Sequence, residues 1–367
     1  MELECKIRRA QRAGPTGIFH LPPLGSPRFC TSFFTSYFTS MSLLSLSLLS
    51  DAIIIIIRRM SAAIVEKKSV KMMFCASCGI AESDDIKLKK CNGCYLVKYC
   101  SVKCQKEHRK KHKKECKKRA AELRDEILFK QPESNHYGNC PICCLPLSLD
   151  PKKSTSYSCC SKYLCIGCDY ANKMRETEGK LRQKCPFCRE ALPNTEEEWD
   201  EQLMKRIEAN DPVAICYMGT ERYDQGDYRS ALDYWTRAVA LGDVVANHQL
   251  SVLYRDGQGV EKDEKKELHH AEQAAIGGHP YARHSLGNME LKDCRVDRAV
   301  KHFIIAAKLG YDDSVSVIKQ LYQTGLVSKE DFAIALRGHK AAIDATKSPQ
   351  REEAEKWKAE RKREEAS

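Results

Sequence analysis

The stretch CASCGIAESDDIKLKKCNGCYLVKYCSVKCQKEHRKKHKKEC, residues 75–116, decides how this chain is read. It holds metal-capable side chains in four pairs: Cys75-x2-Cys78, Cys91-x2-Cys94, Cys100-x3-Cys104 and His112-x3-Cys116. A divalent zinc takes four soft or borderline ligands in a tetrahedron, and a C-x2-C pair sets two thiolates on one tight turn facing one ion. The x3 pairs fit a helix, on which residues four apart lie one above the other. Four pairs predict two zinc ions, although spacing alone does not say which pairs share one. His108, four residues from both Cys104 and His112, is the alternative imidazole ligand.

The rest of the composition agrees with bare thiolates. A length of 367 residues allows two or three domains. Of 20 cysteines, all but Cys5, Cys30, Cys216 and Cys294 lie between Cys75 and Cys188. Oxidised frameworks belong to small secreted domains, and no clear secretory signal is present. Thiolates that hold zinc must stay reduced, so the expected location is the cytoplasm or nucleus. The formal charge of +11 resides largely in residues 101–119, which carry ten Lys or Arg against two Glu. That run lacks interleaved aromatics for base stacking, so the reading argues against nucleic acid as a partner.

Residues 1–66 read as a disordered or doubtful extension, with translation from Met60 as one explanation of it. The window Met41–Ile57 has only seventeen residues, four of them serine, and carries Asp51. That makes a poor spanning helix, and a membrane anchor is not expected. After the finger, residues 117–138 read as a charged linker helix, closed by Pro132 and the polar segment that follows.

A second cysteine cluster occupies residues 139–192: Cys140-Pro141-Ile142-Cys143, the doublet Cys159-Cys160, Cys165-x2-Cys168, and Cys185-Pro186-Phe187-Cys188-Arg189. Eight thiolates suffice for two more zincs, about four ions in all. Cys144 is a spare thiol.

Residues 205–345 repeat. Asp211–Gly242, Asp243–Gly278 and His279–Gly310 each place Ala near the start (Ala214, Ala246, Ala282) and an apolar residue four positions later (Met218, Leu250, Leu286). Each closes on A-[VA]-x-x-G. A period in the thirties with two amphipathic stretches per unit predicts a helical solenoid, each terminal Gly supplying a left-handed turn. A degraded fourth unit starts at Tyr311, its first helix expected over Asp313–Tyr322. Tyr223, Tyr234, Trp235 and Tyr254 are expected in the core between repeats, and His269, His270 and His279 on the surface. The tail, residues 346–367, reads as a solvated helix or disorder.

The run from Cys75 to Cys116 resembles the MYND zinc finger, matching its order of seven cysteines and one histidine. The resemblance implies a cross-brace, with Cys75, Cys78, Cys100 and Cys104 on one zinc and Cys91, Cys94, His112 and Cys116 on the other. It also implies a groove for short proline-containing peptides, to which Tyr95, Leu96 and Tyr99 could contribute. The second cluster resembles a RING finger in knuckle order and in its closing C-P-F-C-R. That implies Cys140, Cys143, Cys165 and Cys168 on one ion and Cys159, Cys160, Cys185 and Cys188 on the other. Lys162 stands where a RING usually has histidine, and a cation without a lone pair cannot ligate. The doublet then supplies two ligands, or the second zinc has an incomplete shell.

RING proteins are known as ubiquitin ligases, which position a thioester rather than form bonds themselves. The resemblance carries Ile142 and Pro186 into a groove for a ubiquitin-conjugating enzyme and makes Arg189 the thioester-orienting donor. Asn172 replaces the tryptophan that many active members carry, with Tyr170 and Met174 as possible substitutes. The repeats resemble sel-1-like repeats, relatives of the tetratricopeptide class, which bind protein partners. The expected fold is multidomain: two small zinc-stabilised modules followed by an all-α helical-repeat solenoid. The expected function is a zinc-binding intracellular adaptor for other proteins or peptides, with a RING-type ubiquitin ligase or a MYND-type transcription cofactor as alternatives.

Overall fold

The computed structural model describes residues 74–365. The extension expected over residues 1–66, with Cys5 and Cys30, lies outside the described residues, as do the last two positions of the tail. The described residues form two compact units, 74–125 and 126–365.

In the first unit, strand β1 (Lys89–Lys90) pairs antiparallel with β2 (Lys98–Tyr99), Lys89 opposite Tyr99. The hairpin tip between them carries the Cys91-x2-Cys94 knuckle and leaves Tyr95 at a φ of 55°. Helix α1 (Val102–Leu128) follows as one uninterrupted element of 27 residues, about 40 Å long. The finger's helix and the charged helix expected after it are thus the same helix. No Gly or Pro falls between Ser101 and Gln131 to separate them, and Pro132 then ends the run. The buried core of this unit is Cys75, Leu88, Cys91, Cys94, Tyr99 and Cys104. Four of those six are cysteines, so little apolar burial is left to stabilise the unit without a metal.

The second unit opens with the second cysteine module. Strands β3 (Ser154–Tyr157) and β4 (Lys162–Cys165) form a hairpin in which Tyr157 faces Lys162. The Cys159-Cys160 doublet occupies its turn, and helix α2 (Ile166–Glu178) continues from β4. Isolated bridges Asn139–Pro146 and Lys184–Ala191 close the two outer knuckles.

Helix α3 (Glu196–Glu208), capped by Thr195, leads into four helix pairs. These are α4 (Pro212–Asp224) with α5 (Tyr228–Ala240), α6 (Val244–Asp256) with α7 (Glu264–Ile276), α8 (Pro280–Lys292) with α9 (Val296–Lys308), and α10 (Asp312–Gln323) with α11 (Lys329–Ala345). Asp211, Asp227, Asp243 and Asp263 each accept a backbone N–H as N-caps, which is why four helices begin one residue after an aspartate. Between pairs, Gly242, Gly278 and Gly310 turn the chain at φ of 90°, 86° and 93°. The paired helices approach closely because small residues face the partner's large ones. A Cβ added at Gly219 would sit 2.5 Å from the Trp235 ring, which is itself 1% exposed. Trp235 anchors the core there with Leu203, Ile207, Ile215, Leu250 and Leu253, while Tyr223 and Tyr234 pack against it half-buried.

The cysteine module lies against α3, and the segment just before it lies against the turn that opens the third repeat. Ser158 Oγ donates to Gln202 Oε1 of α3 at 2.8 Å, and Gln202 returns a bond to Ala191 O at 3.1 Å. The His136 N–H donates to Gly278 O at 3.1 Å. The His279 ring stacks on His136 at 4.2 Å and on His248 of α6 at 4.3 Å. His279, expected on the surface, is 3% exposed. As the N-cap of α8, its Nδ1 accepts from Ala282 N at 3.3 Å, a role that draws the ring inward. His269 is exposed, and His270 is half-buried against Tyr254 and Asn247.

The tail also departs from expectation. Helix α12 (Pro349–Glu365) packs along α2, with Arg351 5% and Ala354 0% exposed. Every third or fourth residue of its inner stripe meets the module, a periodicity hidden within alternating charges. At the other end of the unit, buried Arg283 donates to Leu128 O and Ala275 O, fastening the last turn of α1 to the third repeat. Among the described residues no helix is long and apolar enough to cross a membrane.

Two outcomes follow from this packing. Replacing Gly219 by Ala should destabilise the full chain by about 1–3 kcal/mol through overpacking, read as a lowered thermal midpoint. Burial, aided by neighbouring positive charge, lowers His136 from its ordinary 6.5 to about 3 and His248 to about 4, and pushes His279 well below 6.5. Rings kept neutral in the folded state contribute stability that is whole above about pH 6.5 and is lost as pH falls toward 4. Denaturant titrations monitored by tryptophan fluorescence, run from pH 7 to 5 with saturating zinc, should show that loss. The dependence should be shallower in His248→Gln.

Candidate metal centres

Each of the four ligand groups is built from local turns joined to a helix or hairpin. Cys75 and Cys78 sit on a knuckle closed by Gly79 N donating to Cys75 O at 2.9 Å. Cys100 and Cys104 flank the start of α1, where Ser101 Oγ accepts from Cys104 N at 3.2 Å. The Sγ atoms of Cys78 and Cys100 lie 3.6 Å apart, and those of Cys100 and Cys104 3.5 Å apart. In the second group the hairpin tip brings Cys91 to 3.7 Å from Cys116, and Cys94 to 3.1 Å from His112 Nε2. His112 is 6% exposed. His108 instead hydrogen bonds Tyr99 OH through Nδ1 at 3.1 Å and stacks on the His112 ring, so the alternative ligand is a support for the chosen one.

The second module repeats the plan with sulfur alone. Cys140 and Cys143 meet Cys165 and Cys168, with Cys143 Sγ 3.7 Å from Cys165 Sγ. Backbone N–H groups of Cys165 and Cys168 point at Cys140 Sγ and Cys165 Sγ, each at 3.5 Å. Cys159 and Cys160 meet Cys185 and Cys188, with Sγ separations of 3.3 Å for Cys159–Cys188 and 3.8 Å for Cys160–Cys185. Both doublet sulfurs therefore face the same centre, and Lys162 points outward from β4.

Within each group all ligand atoms lie within 4.8 Å of one another. A tetrahedron with Zn–S of about 2.3 Å has S···S edges of about 3.8 Å, whereas a disulfide would bring sulfurs to about 2 Å. The separations fit the first and exclude the second. The donor set, seven thiolates and one imidazole in the finger and eight thiolates in the second module, suits zinc. In the absence of positive charge, the hydrogen bonds that the Cys100 thiol makes to the Cys104 and Cys78 sulfurs favour its protonated form and hold it up at about 12, and burial does the same for Cys160 and Cys168. A dication at each centre is what makes three or four deprotonated sulfurs compatible with one small volume.

Around these centres lie the residues singled out for partners. Tyr95 and Leu96 are 56% and 45% exposed at the hairpin tip, but Tyr99 is buried at 3% and turned into the core. Ile142 and Phe187 are 43% and 44% exposed, with Pro186 half-buried between knuckle and surface. Arg189 is engaged: its Nη1 donates to Asn172 Oδ1 at 3.2 Å, and its Nη2 lies 3.6 Å from Glu176 Oε1. Asn172 also donates to Glu176 Oε2 at 3.0 Å and to Lys184 O at 3.1 Å. Tyr170 packs at a tilt against Trp357 of α12, and Met174 is half-buried. Spare Cys144 is exposed and belongs to no ligand group.

Sequence reasoning missed the polar braces of the second module. Asp169, 3% exposed, accepts from Tyr157 OH, from Thr155 Oγ1 at 3.1 Å and from Lys173 Nζ at 2.9 Å, tying hairpin to helix between the two centres. Glu176, 1% exposed in its side chain, does the same for Asn172 and the Lys184 N–H. The signal available was two acids seven residues apart on one helix, a spacing that places them on one face.

Elemental analysis of the reduced, purified chain should give four zincs. Replacing Cys160 by Ser should bring the count to three while leaving the finger's two, because each centre draws on its own knuckles.

Residues 75–116 match the family model of the MYND finger. No curated protein matches the chain. Among solved structures, a Sel1 repeat protein from Oxalobacter formigenes aligns at 27% identity over 42% of this chain and 66% of its own length, with a TM-score of 0.37. A protective antigen of uropathogenic Escherichia coli displaying an SLR fold aligns at 29% identity over 40% of this chain and 33% of its own, with a TM-score of 0.34. An immunity protein from Pseudomonas aeruginosa aligns at 20% identity over 41% and 60%, with a TM-score of 0.29. The chain is thus a zinc-binding protein that joins a MYND-type finger to a second two-centre cysteine module and an all-α array of helical repeats.

Proposed function

We propose that this chain is a zinc-dependent adaptor that holds protein partners in a reducing compartment, the cytoplasm or the nucleus. In this reading the finger grips a short extended, proline-containing peptide, and the second module with its repeats forms a platform for further protein contacts. The observation that carries it is the aromatic–aliphatic step Tyr95–Leu96, held exposed on a hairpin whose tip is pinned by Cys91, Cys94, His112 and Cys116. Large apolar side chains held rigidly at a tip lose little entropy on binding, which is what a weak peptide contact needs.

A ubiquitin ligase built on the RING-like module is the second reading, and exposed Ile142 and Phe187 favour it. Against it stands Arg189, whose guanidinium is committed to Asn172 and Glu176 and would have to leave both to orient a thioester. A transcription cofactor acting through the finger is a special case of the adaptor and requires nuclear residence.

Titration of the zinc-loaded chain with proline-containing peptides, followed by NMR, should shift Tyr95 and Leu96 and weaken about tenfold in Leu96→Ala. Peptides that bind without touching that tip, or not at all, would remove the finger from the reading. The ligase alternative is separated by an in vitro ubiquitination assay on the full chain. Zinc-dependent chains lost in both Ile142→Ala and Arg189→Ala would replace the adaptor with the enzyme, and a folded but inert protein would leave the adaptor in place.

A further inference from the structure

Arg351 begins the helix that the sequence presents as a charged tail, yet its side chain is spent on the cysteine module. Nη1 donates to Pro146 O and to Thr346 O, each at 2.7 Å. Nη2 donates to Leu145 O at 3.2 Å and to Cys143 Sγ at 3.4 Å. The residue is 5% exposed, and its backbone and Cγ approach α2 so closely that a Cβ on Gly167 would lie 3.0 Å from each. Trp357, two turns later, packs at a tilt against Tyr170 with ring centroids 5.3 Å apart, and Lys153 pairs with Glu355 at 2.9 Å. The helix is docked over its N-terminal half, with Arg351 and Ala354 buried against the module.

A zinc bound by four thiolates carries a net charge of −2, and burying that charge is unfavourable unless cations or N–H donors share it. The knuckle amides of Cys165 and Cys168 supply part of the relief. A guanidinium supplies more: it is always charged, its fork is rigid, and here it bonds a ligand sulfur together with the two carbonyls that follow that ligand's turn. We propose that Arg351 is an outer partner of the Cys140–Cys143–Cys165–Cys168 zinc, so that the C-terminal helix is part of that metal centre and sets how firmly its ion is retained. The helix reports to the module through one residue, and detachment of the tail loosens one zinc of four.

The test is zinc release from the full chain to the chromogenic chelator pyridylazoresorcinol, in Arg351→Met, Arg351→Lys and Trp357→Ala, with NMR of the cadmium-substituted proteins alongside. Outer partners of metal ligands contribute about tenfold to a hundredfold to metal affinity. Arg351→Met should therefore release one of the four ions about tenfold faster or more, and move one cadmium resonance. Arg351→Lys should recover part of the retention, while Trp357→Ala, which loosens the helix without removing the N–H···S bond, should leave that resonance in place. Four ions released at the unaltered rate in Arg351→Met would overturn the proposal. So would equal acceleration by Arg351→Met and Trp357→Ala with no recovery in Arg351→Lys, since helix docking alone would then explain it. Should Arg351→Met fail to fold, the cadmium spectra of Arg351→Lys and Trp357→Ala still decide, the first shifting one signal and the second none.

Discussion

Coordination of zinc by side chains that the fold alone would not bring together is the constraint on which the first half of this molecule rests. In the finger the buried residues are mostly the ligands themselves, and in the second module Cys140, Cys160, Cys165, Cys168 and Cys185 share the core with only Leu147, Tyr157 and Leu164. Such clusters bury too little carbon to offset the entropy of ordering their loops. A zinc ion at each centre contributes on the order of 10 kcal/mol, and the hairpins and knuckles exist because that contribution is available. The imidazole in one of the four groups is itself placed by a neighbour, since His108 stacks on His112 while bonding Tyr99.

The repeats use different physics. Alanines at 0–2% exposure line the contacts between helices, and large residues such as Trp235 and Phe303 fill the spaces opposite glycine. Burial of carbon stabilises this half, and among the described residues all four metal-ligand groups lie outside it. The two regimes meet across a polar seam of imidazoles, tyrosines, a glutamine and an arginine. Neutral stacked rings suit such a seam, because they pack like aromatics yet keep nitrogen atoms for caps and carbonyls.

Features carried by short spacing were legible in the sequence. Cysteines two or three residues apart declare a knuckle, and alanine followed by a closing glycine at intervals of 32 to 36 residues declares stacked helix pairs. Both signals survive because the interacting groups are local or periodic. Contacts between distant positions leave no such trace. Arg351 bonds Cys143 across 208 residues, and nothing in a run of alternating Lys, Arg and Glu distinguishes it from its solvated neighbours. The His136–His279–His248 stack joins three segments, so His279 reads in the sequence as an isolated surface histidine and the other two rings carry no signal at all. Asn172 was read only as a missing tryptophan, whereas it is the centre of a network whose other members, Glu176 and Arg189, gave no sign of being paired. The merging of two helices into α1 was visible in principle, as a lack of breakers, but the last zinc ligand suggested a boundary that backbone hydrogen bonding does not respect.

The seam between module and repeats has a bearing on biosynthesis. Ribosomes deliver the chain from its N-terminus, so the finger can load metal and close while most of the array is still unmade. The second module cannot finish in the same way, because its partners at Gln202 and Arg351 emerge up to 208 positions after Cys143. During that interval its sulfurs are exposed to oxidants and to competing metals, and final closure has the slow character of contacts with large sequence separation. A nascent chain stalled before Arg351 would carry a half-sheltered cysteine cluster.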